Sequence, residues 1–549
     1  MKKNFAIVST LLAAALFALL MPAKVRAAGS VVNESTGTAY TSIAAAVGEV
    51  SAGEDAVLTA EGDFTEDVTL NMDSKVTIKA GAGGCQLNGK VSVSNGSLFL
   101  EGLGINGSVT YTGTGSAGEV TDCNINTTGT GITVTGGAQV DQILRVNISG
   151  GSRGILVGPG GLIGTIDGGE NKSTVTGSMQ GIAIDIYDNG SNHSNSGRIG
   201  RIANCSIAST GSSTSTTSQY GGIVMRGWEP NATAEIGTVE NCEISAASGY
   251  QYHGGIMMIN DDEGAPVTLQ QIKNCTITTT GNSSGIVLQY AQIGEILGTD
   301  IHASQGAGRA IIYGVMGSGT VPACPNHIGK IDGGEGRCSL SSESANAIYM
   351  VSRTGYGIGS IANADITGYY AGIYLAGGDV GDITNVTIMQ TYEGANSSSN
   401  YGGIIEKASN VKIGNLTNVE IDAQGLGIYL HTNVTAGDMD HVIIKAGKQD
   451  TAYQSGAGIY ALTGSTIRSI SHDSEITSEK SYGLALNGSE IMGKISDTRI
   501  NGRYIGVSNS GGRIGGMENV DVTVTRREQG GQRNRQRCRK QLYGDRRDR

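Results

Sequence analysis

A phrase of nine residues, approximately Ile-Gly-x-Ile-x-Asn-x-x-Ile, returns about a dozen times along this chain, usually followed by Gly-Ile and alternating apolar residues. Clean copies begin at Ile199 (IGRIANCSI), Ile236 (IGTVENCEI), Ile358 (IGSIANADI), Val380 (VGDITNVTI) and Ile413 (IGNLTNVEI), with looser ones at Ile293 and Ile514. Alternation of apolar and polar residues within each copy is the pattern of a β-strand. The shortest steps set the size of the repeat: Ile358 to Val380 is 22 residues and Ile491 to Ile514 is 23. That is room for three short strands and three turns, and longer steps are the same repeat with loops inserted. The expected fold is an all-β solenoid of stacked parallel strands.

Composition agrees. The 549 residues include 87 Gly, 6 Pro and 1 Trp, which suits many tight turns joined by short strands. The glycines have no three-residue period, so a collagen helix is excluded. Residues 1–27, with Lys2 and Lys3 before a short apolar run and a Val25-Arg26-Ala27 cleavage-like triplet, read as a secretory signal peptide. No later apolar stretch approaches the roughly 20 residues of a membrane helix, so the protein is expected to be secreted or held at the cell surface without a transmembrane segment. Residues 526–549 carry ten Lys/Arg against three Asp/Glu and lack the repeat, reading as a basic tail, disordered or out of frame. Residues 28–525 then hold 46 Asp/Glu against 24 Lys/Arg, a balance that disfavours nucleic acid as a partner.

Stacking in register turns each recurring position into a column along the solenoid. The Asn of the phrase gives Asn204, Asn241, Asn274, Asn363, Asn385, Asn418 and Asn519, with Asp122 and Asp497 in looser copies. Such amides can hydrogen-bond up and down the stack at a tight turn, a structural role. Directly after them come Cys123, Cys205, Cys242 and Cys275, replaced later by Ala364, Val386, Val419 and Val520; cysteine here stands in for a small apolar residue. Cys324 and Cys338 flank an inserted loop, where an exported protein could place a disulfide; Cys324 and His327 also have a metal-like spacing without a second close pair.

The beginning of the repeat region differs. Tyr40 to Val50 has helical spacing and is followed by Gly62-Asp63-Phe64-Thr65-Glu66-Asp67-Val68-Thr69-Leu70 and Val76-Thr77-Ile78-Lys79-Ala80. This entry, a short helix and then strands, resembles that of the pectate-lyase-like right-handed parallel β-helix proteins. The resemblance implies three strands per coil over residues 28–525 and a capping helix within about residues 31–60 that protects the first sheet edge. It extends to no catalytic motif. Asp261-Asp262 occurs, but His253 lies in Tyr-His-Gly-Gly and completes no polygalacturonase-type set; the lyase calcium and arginine motifs are not recognisable.

Two candidate sites follow from the columns. Aligning Gly181-Ile182, Gly222-Ile223, Gly255-Ile256 and Gly285-Ile286 gathers their strand ends: Asp185 and Asp188, Arg226, Trp228 and Glu229, then Asp261 and Asp262. Carboxylates on neighbouring coils suit acid–base cleavage of a polysaccharide or capture of Ca²⁺, the one candidate ion in a chain with no cofactor motif; charged strand ends meeting solvent are the plainer reading. The second site is a stripe of Tyr349, Tyr374, Tyr429 and Tyr460, outward by alternation, suited to stacking on sugar rings or simply to stabilising the sheet. The expected function is a non-catalytic, adhesin-like or glycan-binding solenoid with a polysaccharide or host-surface glycan as partner. A polysaccharide lyase or glycoside hydrolase on an acidic polymer, and a spacer that presents another domain, are the alternatives.

Overall fold

In a computed structural model of the chain, the Ile-Gly-x-Ile copies are strands stacked in register on one another. The structure describes residues 29–186, 196–215, 218–227, 232–260, 267–313, 326–352, 355–394, 400–448 and 456–525, together with the backbone of Arg535–Cys538. Among these the chain is almost wholly β, and its strands form one long, mostly parallel ladder compatible with a solenoid. Over much of its length each strand pairs with the third strand further along. Gly221–Gly227 pairs with Gly254–Asn260, and that strand in turn with Ser284–Gln289.

Three sets of inward columns fill the core. Ile223, Ile256, Ile286 and Ile311 stack on the Gly-Ile strands; Ile236, Leu269, Ile293 and Ile328 on the Ile-Gly-x-Ile strands; Ile244, Ile277, Ile301 and Leu340 on the strands that follow the Asn turn. All are fully buried. Each such side chain stabilises the fold by roughly 1.5–3 kcal/mol over its exposed state, and the β-branched residues also suit the pleat.

The Asn column is a turn in the left-handed region: Asn204, Asn241, Asn274, Asn363, Asn385, Asn418 and Asn519 have φ between 51° and 56°. Asn tolerates this conformation better than other residues with a Cβ, and its amide then finds a neighbour. Asn385 Nδ2 donates to Asn363 Oδ1 at 2.6 Å, Asn418 to Asn385 at 3.0 Å, and Asn363 to Asp332 at 2.8 Å. Arg145, Lys172, Arg337, His441 and Asp473 share the same backbone conformation and fall at the same turn of other repeats. The residue after the turn has a second duty. The thiols of Cys123, Cys205, Cys242 and Cys275 donate to the carbonyl two residues earlier, at 3.0–3.3 Å. Thr299 and Thr498 make the same bond through their hydroxyls, at 2.9 and 2.6 Å.

Cys338 belongs to this column too. It follows Arg337 and pairs with Ala364, and it is a free thiol, 1% exposed. Its proposed disulfide partner Cys324 lies outside the described residues.

The ends differ from the middle. Ser30–Asn33 pairs antiparallel with Ala39–Tyr40 and with Asp55–Phe64. The helix is shorter than its sequence pattern, Ile43–Gly48, and buries Ile43, Ala46 and Val47. Ser42 Oγ caps it by accepting the Ala45 N–H at 3.0 Å, while Glu66 accepts the Ser42 hydroxyl and, at 2.6 Å, the Ile43 N–H. At the other end Val507, Ile514, Met517 and Val522 are only partly buried, and Ile505 and Val524 are each 38% exposed. There the backbone of Arg535–Cys538 runs antiparallel to Val520–Thr523; the rest of the basic tail, like residues 1–28, lies outside the described residues.

Candidate functional site: the outer face of the Gly-Ile strands

On the Gly-Ile strands the residue after the inward Ile faces out, and register links these outward residues into one column: Ala183, Val224, Met257, Val287, Ile312, Tyr349, Tyr374, Ile405, Tyr429, Tyr460. An outer face would ordinarily be polar. Here Val224, Met257, Val287 and Ile312 form an apolar cluster with Ile259, at most 1% exposed, against which Tyr252 and Tyr349 pack. Ile405 and Tyr429 join Ala371, Leu426 and Ala457 in a second cluster bordered by Tyr374 and Tyr460.

The four tyrosines of the stripe therefore share one column, interrupted by Ile405. Tyr349 and Tyr374 stack with centroids 5.4 Å apart and planes 17° from parallel; Tyr429 and Tyr460 are 5.7 Å apart and tilted by 56°. Tyr349, Tyr374 and Tyr460 are half-buried and Tyr429 is buried. Cations lie over two of the rings: the Arg309 guanidinium is 4.7 Å from the Tyr349 centroid and Lys407 Nζ 4.5 Å from that of Tyr429. Arg309 Nη1 also donates to Gln251 Oε1 at 2.8 Å, which fixes its reach across the face.

The strand-end cluster is placed only in part. Asp185 and Arg226 are register partners, and Ile259 and Gln289 continue their column. Asp185 Oδ2 lies 3.5 Å from Arg153 Nη2. Asp188, Trp228, Glu229, Asp261 and Asp262 lie outside the described residues. Among the described residues no group of three or more His, Cys, Asp or Glu is arranged to hold a metal ion.

Two features escaped the sequence reading. Tyr369, Tyr370, Tyr392 and Tyr401 form a ring cluster where the chain enters this face, with centroids 4.9–5.4 Å apart and Tyr370 37% exposed. The Tyr369-Tyr370 doublet was its only sequence signal. The other feature is Glu406, which is register partner to Leu375 in an inward column and fully buried. Its Oε1 accepts the Ala408 N–H at 2.6 Å, and Oε2 has no partner of hydrogen-bonding geometry. Burial pushes its carboxyl up to about 7, with the main-chain amides of Ala408, His431 and Lys407 opposing the shift. His431 stands nearby with a buried, unpartnered Nδ1. The signal was GIIEK, where other copies read GIYLA and GIYLH.

His253, which the sequence places beside Gly254-Gly255, is wholly buried. Ser248 Oγ lies 2.5 Å from its Nδ1 and the Ser218 carbonyl 2.6 Å from its Nε2, and burial lowers its pKa. That ring holds the corner at Tyr220 and Tyr250 together and faces no open cleft.

Comparison of the chain with family models, with curated proteins and with solved structures returned no match. No helix among the described residues is long and apolar enough to cross a membrane.

Proposed function

We propose that this chain is a right-handed parallel β-helix, three strands to a coil, exported by its N-terminal signal and displayed or released as a non-catalytic, adhesin-like glycan-binding protein. The observation that carries the reading is the in-register stack of Tyr349 on Tyr374, with Arg309 over it and the exposed Tyr370 corner beside it. Aromatic faces repeated along a rigid rod offer sugar rings a series of stacking platforms, with hydroxyl groups at their rims for hydrogen bonds. The experiment is retention of residues 28–525 on immobilised neutral and acidic polysaccharides, with new reducing ends counted with and without Ca²⁺. Retention without release, lost in Tyr349→Ala/Tyr374→Ala, supports the reading; retention that survives the double change overturns the assignment to the stripe.

A second reading, cleavage of an acidic polysaccharide, draws on the strand ends, where Asp185 is register partner to Arg226 and lies 3.5 Å from Arg153. Release of reducing ends that stops in Asp185→Ala, with or without Ca²⁺, would favour it. Neither retention nor release would favour a spacer.

A further inference from the structure

We propose that a second groove, on the outer face of the Ile-Gly-x-Ile strands, binds a neutral, hydroxyl-rich glycan chain lying along the stack. It is separate from the tyrosine column, which lies on another set of strands. Its floor is the glycine of the repeated phrase. Gly359, Gly381, Gly414 and Gly437 follow one another in successive repeats, and each is glycine for a packing reason. A Cβ on Gly381 would lie 1.8 Å from the Gly359 carbonyl oxygen, and one on Gly359 would lie 2.3 Å from that of Gly329. Close stacking thus excludes side chains and leaves a strip of bare backbone. Here the strip opens into a groove of about 470 Å³, a size that suits a small-molecule or oligosaccharide segment.

The column is interrupted at Arg468, which occupies the glycine position of its own repeat, since Ala436 pairs with Ile467 and Asp438 with Ser469. Its guanidinium folds onto Asp438 and donates to Asn415 Oδ1 at 2.8 Å, closing the groove at that end.

The walls are already ordered. Asp379 accepts the N–H groups of Gly355 at 2.8 Å and Lys412 at 2.9 Å; Asp382 accepts that of Asn415 at 2.8 Å; Asn415 accepts that of Asp438 at 3.0 Å. Groups held in this way keep lone pairs for a ligand and lose little freedom on binding it. Tyr356, 41% exposed, provides a stacking surface at the rim. The charged groups lining the groove are Asp379, Asp382, Lys412 and Arg468, and Arg468 is neutralised by its ion pair to Asp438, which leaves two carboxylates against one lysine. That balance selects against a polyanion and for hydroxyl groups. Successive repeats, about 4.8 Å apart, present these groups at a spacing close to the rise of one hexose in an extended chain.

The test is titration of the protein with cellohexaose, followed by calorimetry, alongside hexagalacturonate. The expected result is saturable binding of cellohexaose, at least tenfold tighter than of the acidic oligomer, and weakened at least tenfold by Tyr356→Ala and by Asp382→Ala. Both changed residues are exposed, and unaltered melting would show that the fold is intact. Tyr349→Ala/Tyr374→Ala should leave this binding unchanged, which separates failure of the groove from failure of the tyrosine reading. Absence of saturable binding, binding indifferent to Tyr356→Ala and Asp382→Ala, or preference for hexagalacturonate would overturn the proposal.

Discussion

Ile373 and Tyr374 are neighbours in one strand, yet the columns they belong to behave differently. Along the inner column the chain repeats isoleucine with hardly a change, through Ile223, Ile256, Ile286, Ile311, Ile348, Ile373, Ile404, Ile428 and Ile459. Along the outer column it passes from Thr110 and Thr133 through Leu156 to aliphatic and then aromatic residues, ending at Ala485 and Ser508. The inner position meets the same surroundings in every repeat, so packing permits one answer. The outer position meets different neighbours along the stack, so packing permits more than one residue type there.

The sharpest way to break this contrast is to charge the inner column. Ile373→Asp would leave an unpaired carboxylate among fully buried aliphatic groups and should cost about 3–5 kcal/mol. Ile383→Asp, in the inward column of the Ile-Gly-x-Ile strands, should cost as much. Thermal melting checks both, and wild-type melting of either variant would mean that the column is assigned to the wrong face.

Among the described residues, Glu406 is the one carboxylate buried in an inward column. Its carboxyl is held near 7, against an ordinary value of 4.5. The unfolded chain releases this proton near 4.5 while the folded chain retains it to about 7, so raising pH between those values favours unfolding. The stability lost across that window is on the order of 3 kcal/mol. Glu406→Leu, matching Leu375 and Leu430 in the column, should therefore melt higher than the parent, with the gap opening from pH 4.5 to 7 and constant above. A gap independent of pH would show that the carboxyl is not buried as described.

The turn column offers a smaller effect. Asn385→Ala removes the bond to Asn363, leaves Asn418 without its acceptor and places a residue less tolerant of φ = 56° at the turn. A loss of about 1–2 kcal/mol is expected. Asn385→Gly, which keeps the backbone and loses the amide, should cost less; equal losses would put the whole effect in the hydrogen bonds.

How far the sequence could be read follows the same division. The all-β solenoid and its parallel ladder were legible because the inner columns impose a strict periodicity on residue type. The turn column was legible only at Asn and at Asp122 and Asp497: Arg145, Lys172, Arg337 and His441 adopt the same left-handed backbone without a short amide or carboxylate to announce it. With Arg337 ahead of it, the place of Cys338 in the thiol column was hidden for that reason. On the outer face, alternation identified the tyrosines, but burial of Tyr429 under Lys407 depends on contacts between repeats. Of the strand-end cluster, Asp188, Trp228, Glu229, Asp261 and Asp262 lie outside the described residues.

The smallest expected change in stability comes from the outer face itself. Tyr374 is half-buried and stacks on Tyr349, so Tyr374→Ala should lower stability by about 0.5–1.5 kcal/mol beyond the area it uncovers, far less than Ile373→Asp one residue away. If the column is a sugar-stacking surface, the same change should weaken retention on a bound polysaccharide at least tenfold while Tyr374→Phe, which keeps the ring, retains most of it. A stripe that only braces the sheet would behave in the opposite way: Tyr374→Ala would move melting alone, and retention would follow the fraction folded. The pair of variants thus separates the two roles of an outward tyrosine, because stacking on a ligand and stacking on the next repeat use the same ring but only the first is measured by binding at constant fold.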